Sequence, residues 1–207
     1  MPRYGRIVYP GVPHHITQRG NRRQRVFFSD DDKALYLELL ARWTRAAGVA
    51  IWAYCLMDNH VHFVAVPETD SGLAVVIGET HKAYTKYINR REGWTGYLWQ
   101  GRFSSFPMDM PYLYRAMRYD ELNPVRAEIV AKASDHNWSS ARAHVSGTDD
   151  PLVSRNPLDM SRAEWEAYLM AGLIEPETVL LREHTSSCSP LGDEGFLKKI
   201  GFLTPFE

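Results

Sequence analysis

The chain has 207 residues, of which 44% are hydrophobic and 24% are charged. This composition is that of a globular protein and excludes a disordered chain. Two cysteines, Cys55 and Cys188, are too few for a disulfide scaffold. No apolar run reaches the ~18 residues that would cross a membrane, and the first residues lack the apolar segment of a signal peptide. We therefore expect a cytoplasmic protein without a membrane partner.

The charged residues are sorted along the chain, although the net charge is only −1. Residues 1–29 hold six arginines and no acidic residue, and residues 80–106 hold five basic residues and one acidic residue. Residues 1–130 carry a net charge of +4, and residues 131–207 carry a net charge of −5. A polyanion responds to local charge and not to the total, so the near-neutral total does not exclude a nucleic-acid partner.

The predicted elements come in the order β-α-β-β-α-β, followed by a helix. Ser29 can cap a helix with three aspartates in its first turn, and Gly48 can end that helix. Hydrophobic spacing predicts strands at 13–19, 50–57, 60–66 and 98–108, and helices at 30–47, 71–91 and 111–122, with further turns over 125–132. This order predicts an α+β fold, a ferredoxin-like split βαβ antiparallel sheet with helices on one face.

A helical segment follows the predicted sheet. Glycine and proline residues mark a linker, and Ser161 with Glu164 forms the capping box of a helix. Two more short helices are predicted at 176–184 and 193–200. We therefore divide the chain into a domain over residues 1–145 and a C-terminal helical appendage over residues 146–207.

His60 and His62 stand two residues apart on a predicted strand. Alternate residues of a strand share a face, so both imidazoles point one way while Val61 and Phe63 point the other. Two imidazoles on one face form half of a site for a divalent metal ion. The alternative is a pair of polar residues on a solvated face, or two hydrogen-bonded core histidines. Asp58–Asn59 is interpreted as a turn, with a catalytic role as the alternative.

Tyr119 and Asn123 are four residues apart on a predicted helix, so their side chains are neighbours on its surface. The alternative is a half-buried tyrosine with an ordinary helix-terminal asparagine before Pro124. Asp120 and Glu121 lie on other faces of this helix, and we interpret them as solvated charges.

Five stretches of the sequence, in order and with matching spacing, resemble the REP-associated tyrosine transposases. These are relatives of the IS200-like single-tyrosine transposases within the HUH class of single-strand endonucleases. The resemblance runs through residues 3–145, and the family fold is ferredoxin-like. The stretches are Pro13–Asn21 (PHHITQRGN), Met57–Phe63 (MDNHVHF), Leu98–Phe103 (LWQGRF), Tyr119–Ala127 (YDELNPVRA) and Asn137–Ser140 (NWSS).

The resemblance implies a role for each motif residue. Tyr119 would be the nucleophile, His60 and His62 would be metal ligands, and Asn123 would be a third ligand through its carboxamide oxygen. The implied reaction is metal-dependent cleavage of single-stranded DNA near a hairpin through a covalent 5′-phosphotyrosine, followed by strand transfer. Mg²⁺ or Mn²⁺ is the expected metal ion.

Two basic clusters are candidates for holding single-stranded or hairpin DNA of the REP type. Arginine forks suit phosphate groups, and the aromatic residues between 94 and 106 either stack on unpaired bases or belong to the core. The candidate DNA-binding residues are Arg19, Asn21, Arg22, Arg23, Arg25, Lys82, Lys86, Arg90 and Arg102.

The C-terminal segment departs from the family it resembles. Pro190–Gly192 and Phe196–Lys199 match the family's tail, but the glycine and arginine that precede Pro-Leu-Gly in the family are absent, and residues 131–207 are net acidic. This tail could cover the active site or contact a partner. The resemblance favours a monomer over a dimer.

Two other functions remain open at the level of sequence. The chain could be a domesticated hairpin-DNA-binding module that no longer cleaves, or a metal-dependent phosphoesterase that acts on small esters. A rolling-circle replication initiator would use the same chemistry, but no helicase or primase segment accompanies this chain.

Overall fold

The structure, a computed structural model, describes residues 8–153 and 159–202, which form four strands, eight α-helices and two short 3-10 helices. The strands are β1 (His14–Arg19), β2 (Val49–Met57), β3 (His60–Pro67) and β4 (Ser104–Pro107). The helices are α1 (Asp30–Ala47), α2 (Gly72–Glu92), α3 (Met110–Glu121), α4 (Asn123–Arg126), α5 (Ala141–Ser146), α6 (Arg162–Met170), α7 (Glu175–Ser187) and α8 (Glu194–Lys199). No helix within these ranges is long and apolar enough to span a membrane.

The four strands form one antiparallel sheet in the order β2-β3-β1-β4. The two crossover helices, α1 and α2, pack against each other and against one face of the sheet. The N-cap of α1 forms as predicted, because the Ser29 side chain accepts a hydrogen bond from the Asp32 amide, and Gly48 ends the helix in the left-handed region at φ 61°. The predicted α+β, ferredoxin-like fold is confirmed.

Alternate residues of β3 face opposite sides of the sheet. Val61 and Phe63 are buried in the core beneath α1 and α2, whereas Val64 belongs to a second core on the other face. His62 shares the face of Val64 and lies near Tyr119 of α3. The period of two therefore places the histidines as predicted, on the face away from the crossover helices.

A β-bulge changes which residues of β2 face this second side. Ile51 pairs with Ala65 but Ala53 pairs with Val64, so Trp52 is the extra residue. Ala53 consequently joins the second core, while Ile51 stays in the first.

The second face of the sheet is covered by α3 together with the C-terminal helices. Phe106 and Leu113 share a core with Trp165 and Leu181, which come from α6 and α7. The backbone of Leu191 adds two hydrogen bonds beyond the end of β4. The C-terminal segment thus packs onto the sheet through a common core. The division of the chain at residue 145 remains a prediction.

Two predicted elements are shorter than expected. The strand predicted at 98–108 is regular only over Ser104–Pro107, because Gly101 has a left-handed φ of 63°, outside the extended region of a regular strand. Backbone hydrogen bonds still join residues 98–100 to the end of β1. The helical turns expected over 125–132 end with α4 at Arg126, and Glu128 follows at a φ of 57°.

Glu121, at the end of α3, joins this helix to α5 and α6. Its carboxylate accepts hydrogen bonds from Ser140 Oγ at 2.6 Å, His144 Nδ1 at 2.5 Å and Trp165 Nε1 at 2.9 Å. All four side chains are buried, so the expectation that Glu121 is a solvated charge is wrong. Burial alone would lower the pKa of His144, but the charge and hydrogen bond of Glu121 raise it above its usual value.

We expect the His144–Glu121 pair to stabilise the fold most at acidic pH. A histidine whose pKa is raised by folding contributes stability below its unfolded pKa and loses that contribution as the pH rises through its folded pKa. Urea unfolding of the parent and of His144→Gln should therefore give a larger difference in unfolding free energy at pH 6 than at pH 9. A difference that is constant with pH, or that grows toward pH 9, would contradict the pairing.

Candidate functional site

A cavity of about 750 Å³ lies where one end of the sheet meets α3, α4 and α7. It opens at the end of β1 and the start of β3, which are antiparallel neighbours. Six of the residues singled out in the sequence line this cavity together: His60, His62, Tyr119, Asn123, Arg19 and Arg102. The motifs on β3 and α3, some 60 residues apart in sequence, therefore meet in one place.

His60 is held by its neighbour in the turn between β2 and β3. Asn59 Nδ2 donates a hydrogen bond to the Arg23 carbonyl at 3.2 Å, and this bond turns Asn59 Oδ1 toward His60. His60 Nδ1 donates to that oxygen at 2.6 Å. The proton thus sits on Nδ1, and Nε2 keeps its lone pair for a ligand. Asn59 is therefore more than a turn residue, since it selects the tautomer of His60.

His62 and His15 share one buried carboxylate. Asp120 Oδ1 accepts a hydrogen bond from His15 Nε2 at 2.8 Å and lies 3.1 Å from His62 Nδ1. Asp120 and His15 are fully buried, and His62 is 7% exposed. The expectation that Asp120 is a solvated charge is therefore wrong, because the helix turns this side chain into the sheet.

The charges of this cluster are set by mutual contact. Burial alone would raise the pKa of Asp120, but His15 and His62 beside it hold that pKa below its usual range. Burial lowers the pKa of His62 in spite of the carboxylate. A charged Asp120 facing a neutral His62 is the arrangement that orients a ligating histidine from behind.

Tyr119 and Asn123 lie one helical turn apart, as predicted from their spacing. Asn123 Nδ2 donates to the Tyr119 carbonyl at 3.1 Å, so the carboxamide oxygen is left as an acceptor. The guanidinium carbon of Arg126 lies 4.5 Å from the centre of the Tyr119 ring. His62 also lines the cavity, with its ring centre 5.8 Å from that of Tyr119.

Two sets of side chains could hold a metal ion. His60, His62 and Asn123 line the cavity and offer two imidazole nitrogens and an amide oxygen. The second set, His15, His62 and Asp120, has ligand atoms within 4.8 Å of one another but is buried. His15 and Asp120 do not line the cavity, so an ion held by them would lie behind the site and not in it. Asp120 Oδ2 is buried with no hydrogen-bond partner within the described ranges.

The candidate DNA-binding residues lie in three different places. Arg19 and Arg102 line the cavity. Lys82 and Lys86 line a second cavity, which Arg102 also borders. The remaining candidates line neither cavity, and all are exposed apart from the half-buried Asn21: Asn21, Arg22, Arg23, Arg25 and Arg90.

Three functional candidates were missed by sequence reasoning. Arg126 lines the cavity two helical turns after Tyr119, and that spacing of seven residues was the available signal. His15 lies on β1 in the middle of the first motif stretch, but its partner Asp120 is 105 residues away. Arg182 reaches the cavity from α7, and no sequence pattern connects it to the motifs.

Some of the aromatic residues between 94 and 106 belong to the core, and others are exposed to solvent. Trp99, Phe103 and Phe106 are buried, as core residues would be. Trp94 is 45% exposed and Tyr97 is 87% exposed, so only these two present most of a ring face to solvent.

Comparison with known protein families shows which family the chain belongs to. Residues 9–121 match the family described as "Transposase IS200 like", a span of more than half of the chain. The chain belongs to the IS200-like transposase family, whose members rearrange DNA by transesterification. This confirms the family-level resemblance seen in the sequence. A search of curated proteins finds no match.

Solved structures extend the comparison to the fold. A structure of a REP-associated tyrosine transposase bound to a REP hairpin superposes with a TM-score of 0.61 at 21% identity, covering 78% of this chain and 96% of that chain. A second structure, described as a transposase from Deinococcus radiodurans, gives a TM-score of 0.40 at 16% identity and covers 62% of this chain and 92% of that chain. The first of these shows that the fold is that of a REP-associated tyrosine transposase.

We expect His60 of the metal-free protein to stay neutral at pH 5. Burial lowers its pKa to about 3, and His62, Arg19 and Arg126 act in the same direction. Nitrogen-15 spectra of the imidazole rings should show a neutral ring with the proton on Nδ1. Asn59→Ala should move the proton toward Nε2, whereas the exposed Asn137→Ala should not. A ring that protonates near pH 6.5 in the parent would contradict this environment.

Proposed function

We propose that the protein is a metal-dependent single-strand DNA endonuclease and strand transferase of the REP-associated tyrosine transposase type. The observation that carries this proposal is the meeting of Tyr119, His60, His62 and Asn123 in one cavity. A phenol hydroxyl is a nucleophile, and two imidazoles with an amide oxygen suit a divalent ion that keeps positions open for substrate.

The reaction assigned to Tyr119 is a transesterification at phosphorus. Its hydroxyl oxygen attacks the phosphodiester and forms a 5′-phosphotyrosine, while the 3′ oxygen leaves and takes up a proton to become a hydroxyl. The number of phosphodiester bonds is unchanged, so that 3′ hydroxyl can later attack another such link without ATP. The Arg126 guanidinium lies over the Tyr119 ring, with its carbon 4.5 Å from the ring centre, and so places positive charge beside the ring that would become a phenolate.

A divalent ion, Mg²⁺ or Mn²⁺, would be held by His60 and His62 with Asn123 as the third ligand. When bound, such an ion polarises a phosphate oxygen and the leaving oxygen. Asp120 would act as a positioning residue, because its carboxylate faces His62 Nδ1 from behind and leaves Nε2 for the ion. Asn59 would do the same for His60 through Nδ1.

Four arginines around the cavity support a DNA substrate. Arg19, Arg102, Arg126 and Arg182 come from β1, the segment before β4, α4 and α7. Their guanidinium forks suit the phosphates on either side of the attacked link. A single strand or a hairpin flank is the substrate, because stacking and pairing in a duplex would hide the link from one tyrosine. The REP hairpin held by the similar transposase structure is the model for this partner.

One chain supplies all the residues of the proposed site, which supports a monomer as the active form. Tyr119 and both histidines of the same chain line the same cavity. No second copy is needed to bring the nucleophile to the proposed ligands.

Tyr119→Phe should abolish the covalent protein–DNA adduct and leave DNA binding nearly unchanged, because only the attacking oxygen is removed. The substrate is a hairpin from the repeats flanking the gene, labelled at its 3′ end so that the label stays with the 5′-phosphotyrosine. Adduct is read on a denaturing gel with Mg²⁺ or Mn²⁺ present. Tyr112→Phe, on the same helix but outside the cavity, is the matched control. Adduct that survives in Tyr119→Phe would refute the assignment of the nucleophile.

Titration with Mn²⁺ distinguishes the two donor sets. If the cavity set holds the ion, His60→Ala should remove measurable binding, and Asp120→Asn should weaken it by about 10- to 100-fold through the orientation of His62. Asp31→Asn, an exposed charge on α1, should bind as the parent does. Binding retained in His60→Ala but lost in Asp120→Asn would instead place the ion among His15, His62 and Asp120.

A further inference from the structure

A second cavity, of about 730 Å³, lies between α2 and residues 96–103. Its floor is apolar and includes Ile77, Leu98 and Trp99, and its rim carries the basic side chains of Lys82 and Lys86. None of the roles assigned above uses this cavity.

Flat rings line this cavity. The imidazole of His81 stacks on the indole of Trp99, with ring centres 4.0 Å apart and planes 12° apart. His81 Nε2 is hydrogen-bonded to the Tyr36 hydroxyl at 2.9 Å, so its orientation is fixed. Burial lowers the pKa of His81 to about 3, and the ring is therefore uncharged at neutral pH. Tyr97, also in the lining, is 87% exposed.

The second cavity adjoins the first through a thin wall of chain. Gln100 lines the Tyr119 cavity, whereas its neighbours Trp99 and Gly101 line the second cavity. Arg102 borders both. The two cavities are therefore neighbours on either side of residues 99–102.

We propose that the second cavity takes an unpaired nucleobase of the DNA strand that enters the Tyr119 cavity. The base would enter the apolar cavity beside Trp99 and Tyr97, and the flanking phosphates would lie against Lys82, Lys86 and Arg102. This inference rests on the proposed function, since it assumes that single-stranded DNA is the substrate. It adds a binding site for a base outside the reacting centre.

The chemistry of the cavity favours a nucleotide over an apolar peptide or a lipid. An apolar partner would gain from the floor but would leave Lys86 and Arg102 at the rim without an acidic partner among the described residues, whereas Lys82 already pairs with Glu79. A nucleotide satisfies both, because each base has a stacking face and each link carries one negative charge. Stacking tolerates any base, so we expect little sequence preference at this position.

Gly78 allows the cavity to be filled without disturbing the core. It lies on α2 in the cavity lining, and a Cβ added to it meets nothing within 4 Å. Gly78→Phe places a ring in the cavity, while Gly78→Ala leaves it open and is the matched control. Both changes replace a helical glycine, which favours the helix.

The binding probes are a blunt hairpin of eight base pairs and the same hairpin with an eight-thymidine extension at its 5′ or 3′ end. Binding is measured by fluorescence anisotropy in the Tyr119→Phe background, so that no strand is cut. Gly78→Phe should weaken binding of at least one extended hairpin about tenfold and leave the blunt hairpin within about twofold. Gly78→Ala should bind all probes as the parent does. Parental affinity of Gly78→Phe for both extended hairpins, or an equal loss for the blunt one, would overturn the proposal.

A second pair of measurements does not depend on Gly78. Replacing Lys82 and Lys86 together by glutamine should reduce the salt dependence of extended-hairpin binding by a slope of about 1.4, as expected for two phosphates of a single strand. An extension carrying 5-iodouracil should crosslink to the peptide that holds Tyr97 and Trp99. An unchanged slope, or crosslinks confined to other peptides, would count against the cavity.

The two proposals fail in different ways. If no hairpin yields an adduct with the parent, the proposed cleavage fails, but the binding differences among the Gly78 variants can still be read. If the parent forms the adduct and Gly78→Phe binds every extension normally, only the base-binding cavity is refuted.

Discussion

The site depends on how α3 is oriented about its own axis. Two adjacent buried carboxylates, those of Asp120 and Glu121, fix that orientation. Asp120 reaches into the sheet to His15 and His62, and Glu121 reaches the other way to Ser140, His144 and Trp165. Successive residues of a helix point about 100° apart, so these two anchors leave no freedom to turn. Removing the partners of either carboxylate would leave a buried charge uncompensated, which typically destabilises a fold by about 3–5 kcal/mol.

Once α3 is fixed in this way, the positions of Tyr119 and Asn123 follow. Tyr119 directly precedes the first anchor, Asp120, and Asn123 lies one turn after Tyr119, so both face the cavity at the end of β1 and the start of β3. The same carboxylate that sets the helix also faces His62 Nδ1. Tyr119, the proposed nucleophile, and His62, one proposed ligand, are therefore positioned by a single group, and a change at Asp120 would move them together.

Short-range periodicity in the sequence predicted the order of the elements and which motif residues share a face, and the family resemblance supplied the roles proposed for those residues. The period of two put His60 and His62 on one face, and the spacing of four put Tyr119 beside Asn123. Asp120 and Glu121 were misjudged because local sequence cannot tell a solvated face from a buried one when the covering elements lie far away in the chain. Glu121 is covered by Trp165, 44 residues later, and Asp120 by His15, 105 residues earlier. Arg182 reaches the cavity from a segment that shares no motif with it.

The fold decides which charged side chains reach the Tyr119 cavity and which pair with one another elsewhere. Among the described residues of the two basic blocks, only Arg19 and Arg102 reach the Tyr119 cavity, and the other two arginines there, Arg126 and Arg182, come from later parts of the chain. The acidic residues that make the tail negative are used in part for structure, as when Glu177 pairs with Arg115 and Arg118 of α3. Pairing of that kind removes acidic charge from the field that DNA would meet. A chain of net charge −1 can thus place the cationic side chains of Lys86, Arg102 and Arg126 along the two cavities, because the fold and not the composition decides which charges remain unpaired there.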